Sequence, residues 1–327
     1  MGVSGTTLPI DLPDELIEAL LRLPVDAPIT SAEARELGVG YPQLRALVNR
    51  GVVKRPVHGV YAVATQPDTL DFRVRVLKLV VPESCVVTDR TAGWLWGANM
   101  ILAPNDHLVT PRVSVFCPPG CRLRRALVAS GERRLAPGDV QELDGLRVTT
   151  PLRTACDLGR LLPRNQAIAA LDSLAALGDF TVDELIRETT RFRRYRGVIQ
   201  LRVLVLLVDP RSESPGESVL RLCWIDAGLP RPECQVEVPT DWGTYYRIDI
   251  GLPELRFGGE YDGEEFHGEG ERDDDESRRT WLRDERDWSI VVARRANVYG
   301  PEQDIHRSLR VGYDEVVSAS RQSRRVV

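Results

Sequence analysis

Apolar positions recur with two different periods along this chain, and the changes of period mark its elements. Near the start, Leu16, Ile17, Leu20 and Leu21 fall at helical spacing. Thr30-Ser-Ala-Glu33 has capping-box spacing: the Thr hydroxyl accepts from the backbone N–H three residues on, and the Glu reaches back. It predicts a short helix that stops at Gly38. Pro42 suits a first helical position. The helix it opens turns Leu44, Leu47 and Val48 inward, leaves Gln43, Arg45, Asn49 and Arg50 outside, and ends at Gly51. Residues 52–62 then read as a hairpin.

Three short helices and a hairpin are the order of a winged helix-turn-helix, assigned to residues 1–72. Gln43, Arg45, Asn49 and Arg50 are side-chain types that read or approach duplex DNA in the major groove. Lys54, Arg55 and His58 on the wing would meet phosphates, although His58 by itself suits a turn equally well.

Residues 73–208 mix the two periods and read as an α/β connecting domain. A capped helix with buried tryptophans is expected over 88–96, and strands over 107–116 and 124–129. Val148-Thr-Thr-Pro-Leu-Arg-Thr-Ala-Cys-Asp157 reads as a strand entering a helix, with Thr150 as cap and Pro151 first. Helices are expected over 166–177 and 182–195, the second with a capping box at Thr181 and Glu184. Arg187, Arg191, Arg193, Arg194 and Arg196 form the densest basic run; it suits a phosphate backbone or a solvated helix end.

Residues 209–218 are polar and turn-rich and open a third domain, 209–327. Ser214 caps a helix with Pro215 first and Glu217 third, and Gly228 ends it. Val236 and Val238 start a strand, and two more strands follow around a Pro-containing turn at 251–254. On the first of these, Ile248, Ile250 and Leu252 share one face, with Arg247 and Asp249 on the other; on the second, Leu255, Phe257, Gly259 and Tyr261 oppose Arg256, Glu260 and Asp262. Packing both apolar faces on one core would gather Asp249, Glu260 and Asp262 on the other side. A hard divalent cation relieves the repulsion of such a group, and metal-assisted phosphodiester hydrolysis is the chemistry it suits. An acidic loop over 264–276, a helix from about Asp275, a strand over 289–293 and a helix over 303–310 complete the pattern.

Composition narrows the picture. The 327 residues exceed one ordinary core, and 43% hydrophobic with 28% charged residues is normal for a soluble globular protein. A net charge of −5 gives no global positive field, so a DNA surface must be a local patch. Lys54 and Lys78 are the only lysines, which removes most candidates for a catalytic lysine. The six cysteines are scattered; Cys117 and Cys121 lack a second Cys/His pair at zinc spacing, so reduced thiols in a cytoplasmic protein are expected. Neither a signal peptide nor a membrane span is expected.

Glu217 in Ser-Pro-Gly-Glu-Ser, Asp249 in Arg-Ile-Asp-Ile, Glu260-Tyr-Asp-Gly263 and His267, followed by Asp275, Arg278, Leu282 and Trp288, carry a resemblance. The last third of the chain resembles the restriction-endonuclease-like PD-(D/E)XK nucleases, in the branch similar to very-short-patch repair endonucleases. The first two thirds resemble AbiEi-type antitoxins of type IV toxin–antitoxin systems, through the winged-helix pattern and the 148–157 motif. The expected fold is thus multidomain α/β, with a winged helix, a mixed α/β middle and a restriction-endonuclease-like domain. The resemblance implies that Asp249 and Glu260 hold Mg²⁺ or Mn²⁺, that Glu217 adds a ligand or orients a metal water, and that Asp262 stands where many such nucleases have lysine. It gives His267 a role as base, proton donor or phosphate contact, and Arg278 the neutralisation of charge on the phosphate. Two functions follow: a DNA-associated, metal-dependent endonuclease, or an antitoxin-like transcriptional repressor with a silent nuclease fold. The expected partners are double-stranded DNA and a cognate toxin; the oligomeric state is open.

Overall fold

Local signals set many of the element ends in the computed structural model, which describes residues 12–100, 112–117, 128–263, 269–299 and 304–326. Helix α1 spans Asp14–Leu21, strand β1 Ile29–Thr30, α2 Ser31–Glu36 and α3 Tyr41–Asn49. The Thr30–Glu33 capping box opens α2 as expected. At α3, Gln43 takes the reciprocal part of a cap, its side-chain oxygen accepting from the Gly40 backbone N–H at 2.8 Å. Strands β2 (Val53–Lys54) and β3 (Val60–Val63) pair antiparallel, and β3 also pairs with β1, giving the order β1-β3-β2. Leu16, Ala19, Ala34, Leu44, Leu47, Val53 and Tyr61 form one core beneath these elements.

The next elements are α4 (Leu70–Lys78), β4 (Val86–Val87), α5 (Asp89–Trp96), β5 (Val113–Cys117), β6 (Val128–Glu132), β7 (Val140–Leu143) and β8 (Leu146–Thr149). Their strands form a five-stranded sheet in the order β6-β5-β4-β8-β7, mixing parallel and antiparallel pairs. The other face of the small sheet joins this core: Val60 and Ala62 pack in one cluster with Phe72, Leu77, Val87, Leu95, Val115 and Val148. Trp94 and Trp96 are only partly buried and pack at its margin, with the Trp96 indole N–H donating to the Thr149 carbonyl at 2.9 Å.

The chain divides into two compact units, Met1–Gly97 with Leu102–Thr154 and Ala98–Ile101 with Ala155–Val327. The division falls inside helix α6 (Pro151–Leu161). The second unit continues with α7 (Arg164–Ala176), α8 (Val182–Glu188), α9 (Val198–Leu204) and α10 (Pro215–Asp226). The helix expected over 182–195 is α8 followed by a 3₁₀ turn, Thr189–Phe192. Helix α10 lies against α7, and the junction holds a buried Asp172–Arg221 ion pair, 1% and 2% exposed at the side chains.

Strands β9 (Glu233–Pro239), β10 (Tyr245–Leu252) and β11 (Phe257–Asp262), helix α11 (Glu269–Arg286), strand β12 (Ser289–Arg294) and helices α12 (Arg295–Tyr299) and α13 (Ile305–Val326) complete it. The sheet order is β12-β11-β10-β9; β9, β10 and β11 are antiparallel neighbours, and β12 runs parallel to β11. Two expectations are corrected here. The acidic stretch is helical from Glu269, because carboxylates are favoured in the first turns of a helix. The last helix runs on to Val326. The apolar face of β10 is also not single. Ile250 and Leu252 join Leu220, Trp224, Phe257, Ile305 and Leu309, whereas Ile248 joins Val236, Val238, Leu282 and Trp288. Both faces of this sheet are therefore covered by helices.

Candidate functional site

The break in the face of β10 sits at Asp249. Ile248 pairs with Val236 and Ile250 with Cys234, so Asp249 lies beside Gln235 of β9. Gln235 has φ +56°, a left-handed conformation that costs a non-glycine residue energy and clusters at functional positions. The pairing of β10 with β11 ends at Ile250 and Gly259. One step further, the Asp249 carboxylate itself accepts the Tyr261 backbone N–H at 2.7 Å. A side chain has taken over the bond that the strand would have made.

Three carboxylates act on one another here. Burial pushes the Asp249 carboxyl up to about 7, and the neighbouring charges of Glu217 and Glu260 add to the shift. Glu217 comes from the first turn of α10, whose cap is the Ser214 hydroxyl accepting the Glu217 N–H at 3.1 Å. Its carboxylate does not close a reciprocal cap on Ser214. It accepts instead from the Glu213 N–H at 2.9 Å and from the Gln235 side-chain amide at 2.8 Å. Burial raises the Glu217 pKa, while those donors oppose the rise.

Glu260 has a different environment. It is 2% exposed, and Arg278 of α11 grips it through both guanidinium nitrogens at 2.8 and 3.0 Å, while Arg279 donates to the same carboxylate at 2.9 Å. Arg278 also donates to the Arg247 carbonyl at 3.0 Å. Asp262 stands 3.7 Å from Arg279 and 3.9 Å from Arg294. His267 lies outside the described residues. Thus Glu217, Asp249, Glu260 and Arg278 belong to one neighbourhood with Gln235 and Arg279, two residues that sequence reasoning did not select. A polar residue between Cys234 and Val236 was the only signal for the first, and adjacency to Arg278 the only one for the second.

The donor chemistry of this cluster suits a hard cation, since all its candidate ligands are oxygens. Its present pairing does not: guanidinium groups engage Glu260, and among the described residues no three His, Cys, Asp or Glu side chains are grouped so as to hold a metal ion.

The second set of candidates is on α3 and the hairpin. Arg45, Asn49 and Arg50 are exposed, as is Tyr41 at 60%. Gln43 is drawn into its cap, and its amide nitrogen reaches Glu15 at 3.4 Å. Lys54 turns inward: its ammonium donates to the Gln66 carbonyl and lies 4.4 Å from the Phe72 ring centroid. Arg55 pairs with the His58 imidazole at 2.7 Å and lies over Tyr61. Of the five residues in the basic run, Arg187, Arg193, Arg194 and Arg196 are exposed, and Arg191 pairs with Glu188.

Residues 82–207, which hold the five-stranded sheet and the helices as far as α9, match the AbiEi antitoxin C-terminal domain. That match covers part of the chain. Over 250 residues the chain is 32% identical to two proteins of Mycobacterium tuberculosis, "Uncharacterized protein MT2308" of strain CDC 1551 / Oshkosh and "Uncharacterized protein Rv2248" of strain ATCC 25618 / H37Rv. The alignment covers 76% of this chain and 88% of each relative, and the chain belongs to one family with them.

Proposed function

We propose that this protein is an antitoxin-like transcriptional repressor, with a winged helix that binds duplex DNA and a nuclease-like domain that is catalytically silent. The match of residues 82–207 to the AbiEi antitoxin C-terminal domain carries this reading. The elements before that domain support it: α1, β1, α2, α3, β2 and β3 follow one another with the sheet order β1-β3-β2, which suits a helix-turn-helix with a wing. Buried Leu44 and Leu47 seat α3 on its core, so the opposite face projects Arg45, Asn49 and Arg50. Arginine and asparagine pair bidentately with guanine and adenine edges. Gln43, Lys54 and Arg55 have partners within the protein and take a smaller part. Fluorescence anisotropy with the protein's own promoter tests this. Arg45→Ala and Asn49→Ala should each weaken binding about tenfold on that duplex and much less on a scrambled one. Equal affinity of wild type for both duplexes would remove the reading. A cognate toxin is the protein partner that this reading implies.

A second reading is favoured by the carboxylate cluster. With the antiparallel β9-β10-β11 run and the parallel β12, it supports descent from a PD-(D/E)XK nuclease, in which Asp249 and Glu260 would hold Mg²⁺ or Mn²⁺. Such an ion, when bound, lowers the pKa of its water and polarises the scissile phosphate. In this chain's own residues, Arg278 and Arg279 neutralise Glu260, and Asp262 brings negative charge to the usual lysine position. Both features favour silence. Nicking of plasmid DNA in Mg²⁺ or Mn²⁺, lost in Asp249→Ala, would replace the first reading of this domain with the second.

A further inference from the structure

We infer that Cys85 and Cys117 form a reversible disulfide site, closed by a peroxide and opened by a dithiol. The strand register brings them together. Val87 pairs with Val115 and Val86 with Phe116 in the antiparallel β4–β5 pair, so the next position places Cys85 opposite Cys117. Facing residues in such a ladder have Cα atoms about 4.5–5.5 Å apart, inside the range that a disulfide spans. The side chains use this proximity: the two sulfurs are 2.8 Å apart. Both residues are held in place, Cys85 by its N–H to the Pro82 carbonyl at 2.9 Å and Cys117 by the β5–β6 ladder. Closing the bond therefore needs a small movement of two side chains and no new fold.

Burial selects the oxidant. Cys85 is 1% and Cys117 3% exposed, which shields them from a bulky disulfide and makes a small neutral peroxide the oxidant to test. One thiol sulfur attacks hydrogen peroxide; the O–O bond breaks, water leaves and a sulfenic acid remains. The second sulfur then attacks the first, the S–S bond forms, the S–O bond breaks and the second water leaves. The thiols have lost two protons and two electrons, and the peroxide has become two waters. A dithiol such as dithiothreitol reverses the reaction and is itself oxidised to a disulfide.

The full chain, folded and reduced, is exposed to hydrogen peroxide, unfolded, alkylated with iodoacetamide and digested without reductant. Mass spectrometry should find the Cys85 and Cys117 peptides joined, two hydrogen masses below their sum, and separated again by dithiothreitol. Cys85→Ser and Cys117→Ser should each abolish that species. Wild type alone is decisive even if the variants fold poorly. Recovery of both peptides fully alkylated, at a peroxide dose that converts Met100 to its sulfoxide, overturns the inference. So does a bond from Cys117 to Cys121, or zinc bound to both thiols in the protein as isolated.

Discussion

Asp249 is the residue on which the reading of the C-terminal sheet turns. A carboxyl in an unfolded chain titrates near 3.9, and in the fold this one titrates at about 7. Between those values the folded state holds the extra proton, so the group's contribution to stability is complete below about pH 4 and falls away as pH rises to about 7. Asp249→Asn keeps an acceptor for the Tyr261 N–H without the charge. Its advantage over wild type in urea-unfolding stability should be smallest near pH 4, grow through pH 6 and level off above pH 7.5, at about 2 kcal/mol once screening of this partly accessible group is allowed for. An advantage that stays constant across that range would place the carboxylate in ordinary solvent. Glu260 makes the opposite prediction. Glu260→Gln leaves the Arg278 and Arg279 guanidiniums without their counter-charge, at a cost of about 3 kcal/mol in urea unfolding. Asp262→Asn, whose arginines stand 3.7 and 3.9 Å away, should change stability by less than about 1 kcal/mol. Equal losses for the two substitutions would contradict this ranking.

At the level of elements, α10 brings Glu217 to the sheet only because Gly216 has no side chain. A Cβ there would lie 2.2 Å from the Tyr261 ring on β11. Gly216→Ala should therefore cost about 1–3 kcal/mol by overpacking, read as a lower urea midpoint with unchanged m. If the midpoint does not fall, the helix is not seated on the ring. The same elements show what a sequence displays and what it hides. The capping boxes at Thr30 and Thr181 were legible because cap and partner are three residues apart. The β10–β11 hairpin was legible from alternation and from its Pro-containing turn. Helix α4 was not, because Phe72, Val74 and Val76 alternate like a strand before Leu77 breaks the pattern. The site was half legible. Asp249 and Glu260 could be placed on one face from strand alternation, whereas Glu217 and Arg278 were named only through the nuclease resemblance; the left-handed Gln235 beside Asp249, where Ile248 and Ile250 part into different clusters, lies on the neighbouring strand β9, which no local pattern in β10 encodes. The grip of Arg278 and Arg279 on Glu260 likewise joins elements 18 and 19 residues apart.

If the protein binds DNA as proposed, charge across the whole molecule decides how the duplex is held. With a net charge of −5, a duplex is repelled by the protein at large, and attraction must come from a few arginines on one small face. Arg45 and Arg50 on α3 are exposed and suit that role, whereas Lys54 and Arg55 are committed to contacts within the protein. Each phosphate neutralised releases about 0.9 of a counterion, so few contacts mean a shallow dependence of affinity on salt. For the own-promoter duplex, the slope of log K against log[salt] should lie between about −2 and −4 per bound chain. Arg50→Ala, at the end of α3 where a phosphate would pass, should weaken all sequences alike and reduce the slope by about 1. Arg45→Ala should instead weaken the specific duplex most and relax discrimination at one base position. A wild-type slope steeper than about −7 would require many more cations than α3 supplies. The exposed arginines at 187, 193, 194 and 196 would then have to follow the phosphate backbone as well, and substituting them to alanine would flatten the slope where Arg50→Ala did not.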